Sequence, residues 1–298
     1  MRLRNLGKSG LMVSEIGFGC MSISGDEKDN IHLIHLAIDR GINIFDTADL
    51  YQHGANESML GKALKGKRNQ VILATKVGNE WRKDGSGWDW NPSKEYILKS
   101  VDLSLKRLNT DCIDLYQLHG GTMEDPIDDT IEAFESLRQK GKIRFYGISS
   151  IRPNLIREYV KRSGMVSVMM QYGLLDRRPE ESSLQMLAES GIGILARGVL
   201  AKGLLAGKRS APFLNYNESQ VEELAKSARA TSSTKRSMAR TAIQWCLHNP
   251  VVSSAILGLR TREQLEDVLE MPGEIVLSGQ EYQTLSGIIP PNLYDLHR

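Results

Sequence analysis

The chain is expected to fold as a closed parallel (β/α)8 barrel, an α/β architecture, and three observations predict it. Eight short apolar runs alternate strictly with amphipathic stretches of helical period. Most of these runs begin roughly 30 residues apart, the length of a minimal strand–helix–strand unit. The turn after the first run, Gly17-Phe18-Gly19-Cys20-Met21-Ser22, lacks the GxGxxG spacing that an open doubly wound sheet would want at that place.

Each element has its own signal. Arg2 to Ile16 reads as a β-hairpin, with Gly7-Lys8-Ser9-Gly10 as its turn. Ile16 to Cys20 is the first barrel strand, and its helix carries Ile31, Ile34, His35 and Ile38 on one face. Asn43 to Phe45 is the second, followed by a helix from about Asn56-Glu57. Val71 to Thr75 ends on Lys76, and a helix from Ser93 to Leu108 is capped by Pro92-Ser93 and Glu95. Cys112 to Leu118 ends on His119, with a helix from Pro126 to Lys140 stopped by Gly141. Ile143 to Ser149 precedes a helix opening at Pro153, and Val166 to Gln171 precedes one from Pro179 to Ser190. Ile192 to Ala196 and Val252 to Leu257 complete the barrel, the last flanked by helices Thr234 to His248 and Thr261 to Glu270.

Two intervals are too long for a minimal unit: 42 residues from Val71 to Ile113 and 60 from Ile192 to Val252. Residues 77–91 and 197–233 therefore insert after strands, on the face where barrel enzymes keep their chemistry. The first insertion holds Trp81, Trp88 and Trp90, read as an apolar wall of a substrate pocket.

Composition narrows the function. The 298 residues, 41% hydrophobic and 25% charged, suffice for one large core in a single domain. A net charge of +2 gives no bulk electrostatic drive toward nucleic acid or membrane. Cys20, Cys112 and Cys246 are far apart with no CxxC, so neither a disulfide framework nor a metal site is expected. The N-terminal residues lack an apolar signal core, and a cytoplasmic setting is expected. No long apolar face is legible, so a monomer is the default.

Three strands close on a titratable side chain: Asp46, Lys76 and His119, with Tyr51 following the first. Singly, each has an ordinary reading, as a cap, a snorkelling lysine, a loop histidine or a rim aromatic. Together at one barrel mouth they make a proton-transfer site. A buried Lys76 needs a carboxylate, and Asp46 lies on the adjacent strand. Their pairing would set a cation beside Tyr51 and lower the phenol pKa, giving a proton donor for an alkoxide that Lys76 or His119 restores. His119 would also orient the carbonyl oxygen. No cysteine or serine pairing offers a nucleophile, so hydride from a nicotinamide is the natural partner. After the last strand, Gly258 and Arg260 open a helix where barrels hold phosphate, and Arg260 with Lys235 and Arg236 suits the 2′-phosphate of NADP. Lys202-Gly203-Leu204 would wrap the pyrophosphate.

These stretches resemble the aldo-keto reductases over nearly the whole chain, in a bacterial branch also similar to potassium-channel β subunits. The resemblance is carried by residues 43–51, 72–76, 113–119, 198–208 and 258–267 together. It implies a barrel whose hairpin covers the N-terminal end, and NADP(H)-dependent reduction of aldehydes or ketones. Tyr51 would be the proton donor, Lys76 and Asp46 its tuning pair, and His119 the carbonyl-orienting residue. Ser149 and Gln171 would hold the nicotinamide carboxamide, with Gln264 and Asp267 near the adenine. Three places depart from the pattern: Ser150 for an asparagine, Arg197-Gly198-Val199 for aromatic-Ser-Pro, and Asp267-Val268 for Glu-Asn. The arginine plane of Arg197 would stack on the nicotinamide in place of a ring. Two other functions fit the same residues, an NAD(P)-linked polyol or sugar-alcohol dehydrogenase and a slow-turnover redox-sensing partner subunit.

Overall fold

A computed structural model describes residues 1–269 and 275–298. Strands β1 (Leu3–Asn5) and β2 (Met12–Ser14) pair antiparallel. The barrel is built from β3 (Ile16–Gly19), β4 (Ile44–Asp46), β5 (Ile72–Val77), β8 (Ile113–Leu118), β9 (Ile143–Ser149), β10 (Ser167–Gln171), β11 (Gly193–Arg197) and β12 (Val252–Leu257). Those eight are parallel in sequence order, and β12 closes on β3. The expected (β/α)8 barrel is therefore the fold. Between them run α1 (Glu27–Asp39), α2 (Ala55–Ala63), α3 (Lys94–Leu108), α4 (Ile127–Gln139), α5 (Pro153–Arg162), α6 (Ser183–Glu189), α7 (Glu218–Thr231) and α8 (Met238–Leu247), followed after β12 by α9 (Arg262–Val268) and α10 (Gly279–Gly287). Among the described residues no helix is long and apolar enough to cross a membrane.

Local chemistry sets the boundaries. The Ser93 hydroxyl accepts from the Tyr96 amide and starts α3, and Asn109, at φ 51°, ends it in the left-handed conformation. The helix expected from Thr234 begins only at Met238, because Ser237 is its cap and residues 233–236 form a tight turn. Glu270, the expected end of the helix after β12, lies outside the described residues. Within 77–91 the chain forms a second antiparallel ribbon, β6 (Asn79–Trp81) with β7 (Trp88–Trp90). Within 197–233 it forms α7, opened by a reciprocal Asn217/Gln220 capping box.

The core has two compartments. A larger one lies between strands and helices and includes Phe18, Phe45, Leu73, Tyr116, Phe134 and Trp245. A smaller one fills the barrel, where Leu6, Leu11 and Val13 meet Ile44, Ile72, Leu115, Met169 and Leu195. Lys8 donates its amide to Gly191 O at the start of β11, so the β1–β2 hairpin stoppers the N-terminal end.

Candidate active site

Side chains alternate across a strand, so a residue two places beyond an inward-facing one faces inward too. Ile44, Ala74, Leu115, Met169 and Leu195 belong to the inner core. Two places on stand Asp46, Lys76, Gln117, Gln171 and Arg197. Strand register thus sets a polar layer on an apolar plug, at the C-terminal mouth.

Lys76 anchors that layer. It is 1% exposed, and its Nζ donates to Asp46 Oδ2 at 2.5 Å, Thr47 O at 2.8 Å and Tyr51 OH at 3.3 Å. The three donors of the ammonium are therefore used. Gln117 Nε2 donates to the other Asp46 oxygen at 3.2 Å. Burial opposes the charge on Lys76, but Asp46 and Tyr51 outweigh it and the pKa rises. Burial also raises Asp46, against the pull of Lys76 and Gln117. At 2.5 Å, with every donor occupied, the two are held as an ion pair.

The structure reverses the expected effect on Tyr51. Burial pushes the phenol pKa above its ordinary 10, Lys76 lowers it, and Asp46 raises it again. Asp46 opposes the cation that was to acidify the phenol, and burial prevails. Tyr51 stays protonated, which is the state a donor requires. His119 meets it edge-on, with ring centroids 5.7 Å apart. Burial, then Lys76 and Arg197, push the imidazole down to about 3. Such a ring is neutral at physiological pH and carries no cationic proton back to Tyr51, so the expected relay through His119 is withdrawn. Its buried Nδ1 has no hydrogen-bond partner among the described residues, which leaves one ring nitrogen for a ligand.

The turn after Tyr51 is strained. Gln52 and His53 both have φ 52°, and Gly54 follows at φ 82°. A left-handed conformation costs a non-glycine residue about 1–2 kcal/mol. The β6–β7 ribbon lies against this turn: Trp81 Nε1 donates to Leu50 O at 3.2 Å and its indole stacks on His53 at 3.6 Å.

The sequence matches the Aldo/keto reductase family over residues 15–290. The chain belongs to that family. It is 47% identical to "Uncharacterized oxidoreductase YqkF" of Bacillus subtilis, covering 100% of both chains. It superposes on the holo form of the aldo-keto reductase AKR11C1 from Bacillus halodurans with a TM-score of 0.93 at 47% identity, covering 100% of this chain and 99% of that one. It is 36% identical to "Aldo-keto reductase yakc [NADP(+)]" of Schizosaccharomyces pombe over 67% of this chain and 62% of the relative. It is an aldo-keto reductase-type oxidoreductase, of a family that uses a nicotinamide cofactor.

The residues read as cofactor contacts are placed as follows. Ser149 ends β9, half-buried, and the buried Ser150 hydroxyl accepts from the Arg152 amide. Arg197 Nη1 donates to Gln171 Oε1 at 3.1 Å, across adjacent strand ends. After β11, Ala201, Lys202 and Gly203 are left-handed in succession, with the amides of Ala201 and Gly203 donating to Gly198 O and Leu200 O. Leu204 buries its side chain in the core, leaving only its main chain to that loop. Gly258, Arg260, Gln264 and Asp267 are exposed together, and Gln264 Oε1 accepts from the Arg260 amide at 2.9 Å. The Arg260 side chain has no ion pair among the described residues.

Arg236 does not join them. It is 2% exposed, pairs with Glu281 at 2.5 Å, and donates to Thr231 O and Ile275 O. Neither it nor Lys235 lies on a helix; both sit in the turn before α8. Lys235 is exposed.

In the β6–β7 ribbon Trp81 pairs with Trp88 and Asn79 with Trp90, so the three indoles share one face. Trp88 is 47% exposed, whereas Trp90 donates to Asp125 Oδ1 and packs over Gly78 and Gly120. The C-terminal tail crosses the entries of α5 and α6, with Tyr294 N donating to Glu181 Oε2 and His297 O accepting from Asn154 N. Sequence reasoning missed Gln117. Its signal was available: a polar residue in register with inward Leu115, two places before His119.

Proposed function

We propose that the chain is a single-domain, NADPH-dependent carbonyl reductase that converts aldehydes or ketones to alcohols, with Tyr51 as proton donor. The observation that carries this is the buried Lys76–Asp46 pair with the Tyr51 hydroxyl 3.3 Å from Nζ. The residues fit the cofactor and a carbonyl substrate on three counts. His119 keeps a buried nitrogen unpartnered among the described residues, the left-handed turn after β11 exposes Lys202, and the exposed Arg260 has no ion pair among the described residues. The "NADP(+)" in the name of the fission-yeast relative points the same way.

Bound NADPH would supply a hydride for the carbonyl carbon. The chain's part is to hold the carbonyl oxygen between Tyr51 OH and His119, and to deliver the phenol proton as that oxygen turns into an alkoxide. Lys76 lies behind Tyr51 and stabilises the phenolate so formed. Gln171 and Ser149 would hold the carboxamide, the Lys202-Gly203-Leu204 loop would receive the pyrophosphate, and Arg260 with Lys235 would take the 2′-phosphate. Trp81 and Trp90 wall the substrate side. Tyr51→Phe tests the assignment by pre-steady-state and steady-state kinetics. Turnover falls by at least about a hundredfold, a general-acid contribution, while NADPH affinity is unchanged. Full activity in that variant refutes it.

A further inference from the structure

We infer that Trp81 is a positioning residue for Tyr51, through which the β6–β7 ribbon braces the left-handed turn that carries the phenol. The inference rests on reading Tyr51 as the proton donor. Trp81 brackets Tyr51 in sequence: its indole N–H binds the carbonyl of Leu50, one residue before, and its ring stacks on His53, two residues after. Gln52 and His53 are exposed and left-handed, so the core does not hold this turn. A disfavoured turn persists only where neighbours over-determine it. The neighbours of Gln52 and His53 are Trp81 and a bond from Gln52 Nε2 to Ile23 O at 3.1 Å, while Arg107 packs against the buried Gly54 that follows.

The ribbon also grips the opposite side of the mouth, where Asn79 Nδ2 donates to His119 O at 3.2 Å. One short ribbon thereby fixes the spacing between the two side chains that are to hold the carbonyl oxygen. A residue serving only as a wall requires neither the bond to Leu50 nor the stack on His53.

The experiment compares wild type with Trp81→Ala, Trp81→Phe, His53→Ala, His53→Gly, the Trp81→Ala/His53→Ala double variant and Tyr51→Phe. Rates are measured with NADPH on propanal and on 4-nitrobenzaldehyde, and NADPH affinity by calorimetry. The Tyr51 resonance is followed in protein carrying 13Cζ-tyrosine, assigned through Tyr51→Phe. The brace predicts that Trp81→Ala and His53→Ala each lower kcat roughly tenfold to a hundredfold, the effect of a displacement near an ångström. The kcat losses are equal for both aldehydes, whatever the lost wall does to KM, and the double variant is no worse than the larger single. NADPH affinity holds, and the Tyr51 resonance shifts and titrates at lower pH as water reaches the phenol. His53→Gly, which suits a left-handed turn, recovers part of the His53→Ala loss, and Trp81→Phe, which keeps the stack, falls between.

A silent His53→Ala, a Trp81→Ala loss confined to KM on the bulky aldehyde, and an unmoved Tyr51 resonance overturn the brace. If Tyr51→Phe keeps full activity, the proton-donor reading fails instead, and the resonance still reports whether Trp81 and His53 position the phenol.

Discussion

Asp46→Asn strips the charge from one half of the buried pair and leaves the other half in place. Lys76 is 1% exposed and Asp46 6%, so the remaining ammonium has no route to water. Leaving a buried charge without its partner costs about 3–5 kcal/mol. Asparagine still offers an oxygen to Nζ, which sets the expected loss near the lower end, about 3 kcal/mol. Lys76→Met strands Asp46 with Gln117 alone and costs a similar amount. Asp46→Asn/Lys76→Met leaves no charge, and its stability returns to within about 1 kcal/mol of wild type. Urea unfolding at pH 7, followed by far-UV circular dichroism, gives the four stabilities and a coupling energy. The pH dependence has a definite sign. The folded pKa of Lys76 is raised in the wild type, so the stability it contributes is complete below the unfolded lysine value and is lost as pH rises through the folded one. The gap between wild type and Asp46→Asn therefore narrows at strongly alkaline pH. Additive single losses, with a coupling energy near zero, would refute the ion pair and the account of Tyr51 built on it.

His119 has a folded pKa near 3 against an unfolded value of about 6.5, so it stabilises the fold at neutral pH and that contribution is lost as pH falls below 6.5. Linkage gives a loss of about 2 kcal/mol between pH 7 and pH 5 from this residue. His119→Gln removes that component, and parallel urea midpoints for both proteins would contradict it. Arg260→Ala weakens NADPH binding by at least about tenfold, as expected for a lost charge-assisted contact, and leaves NADH binding unchanged in calorimetry. Equal weakening of both would remove Arg260 from the 2′-phosphate. Arg236→Met leaves NADPH affinity intact but destabilises by about 1–3 kcal/mol, because Thr231 O, Ile275 O and the partly exposed Glu281 lose a charged donor. A large affinity loss without destabilisation would return Arg236 to the cofactor site.

The barrel was legible because each strand is a short apolar run with its own cap, stop or proline at the helix that follows. The tetrad was legible because Asp46, Lys76 and His119 each close such a run, at a position where alternation points the side chain into the mouth. Other features were not. The β6–β7 ribbon hides in a stretch whose alternation covers three residues on each side of a glycine-bearing turn, too short for a periodic signal. In α7 the apolar positions are Val221, Leu224, Ala225 and Ala228, a weak stripe inside a charged segment. The burial of Arg236 depends on Glu281 in α10, 45 residues away, and its neighbours Lys235 and Arg240 give no hint of which cation turns inward. The sign of the Tyr51 shift was missed for a different reason. Residue types fix the presence of a cation, but burial of the phenol sets the sign, and the carboxylate at a distance of 2.5 Å from the cation opposes its pull.

That distance also bears on where the proposed reaction finds its electrostatic help. Lys76 and Asp46 form a dipole with little net charge, Tyr51 is protonated, and His119 is neutral. Among the described side chains of this layer the remaining charge is Arg197, whose pKa burial lowers and whose side-chain hydrogen bond goes to the neutral amide of Gln171. The cup is therefore net cationic, and its positive charge comes from the residue that departs from the family's aromatic pattern. A phenol with a raised pKa gives up its proton only to an oxygen that has already gained nearly full negative charge. Such an oxyanion is stabilised in a half-buried site by a fixed cation that does not itself hand over a proton, and a guanidinium is that group. In the proposed reaction Lys76 would stabilise Tyr51 once it has lost its proton, and Arg197 would add positive potential to the mouth in which the oxyanion forms.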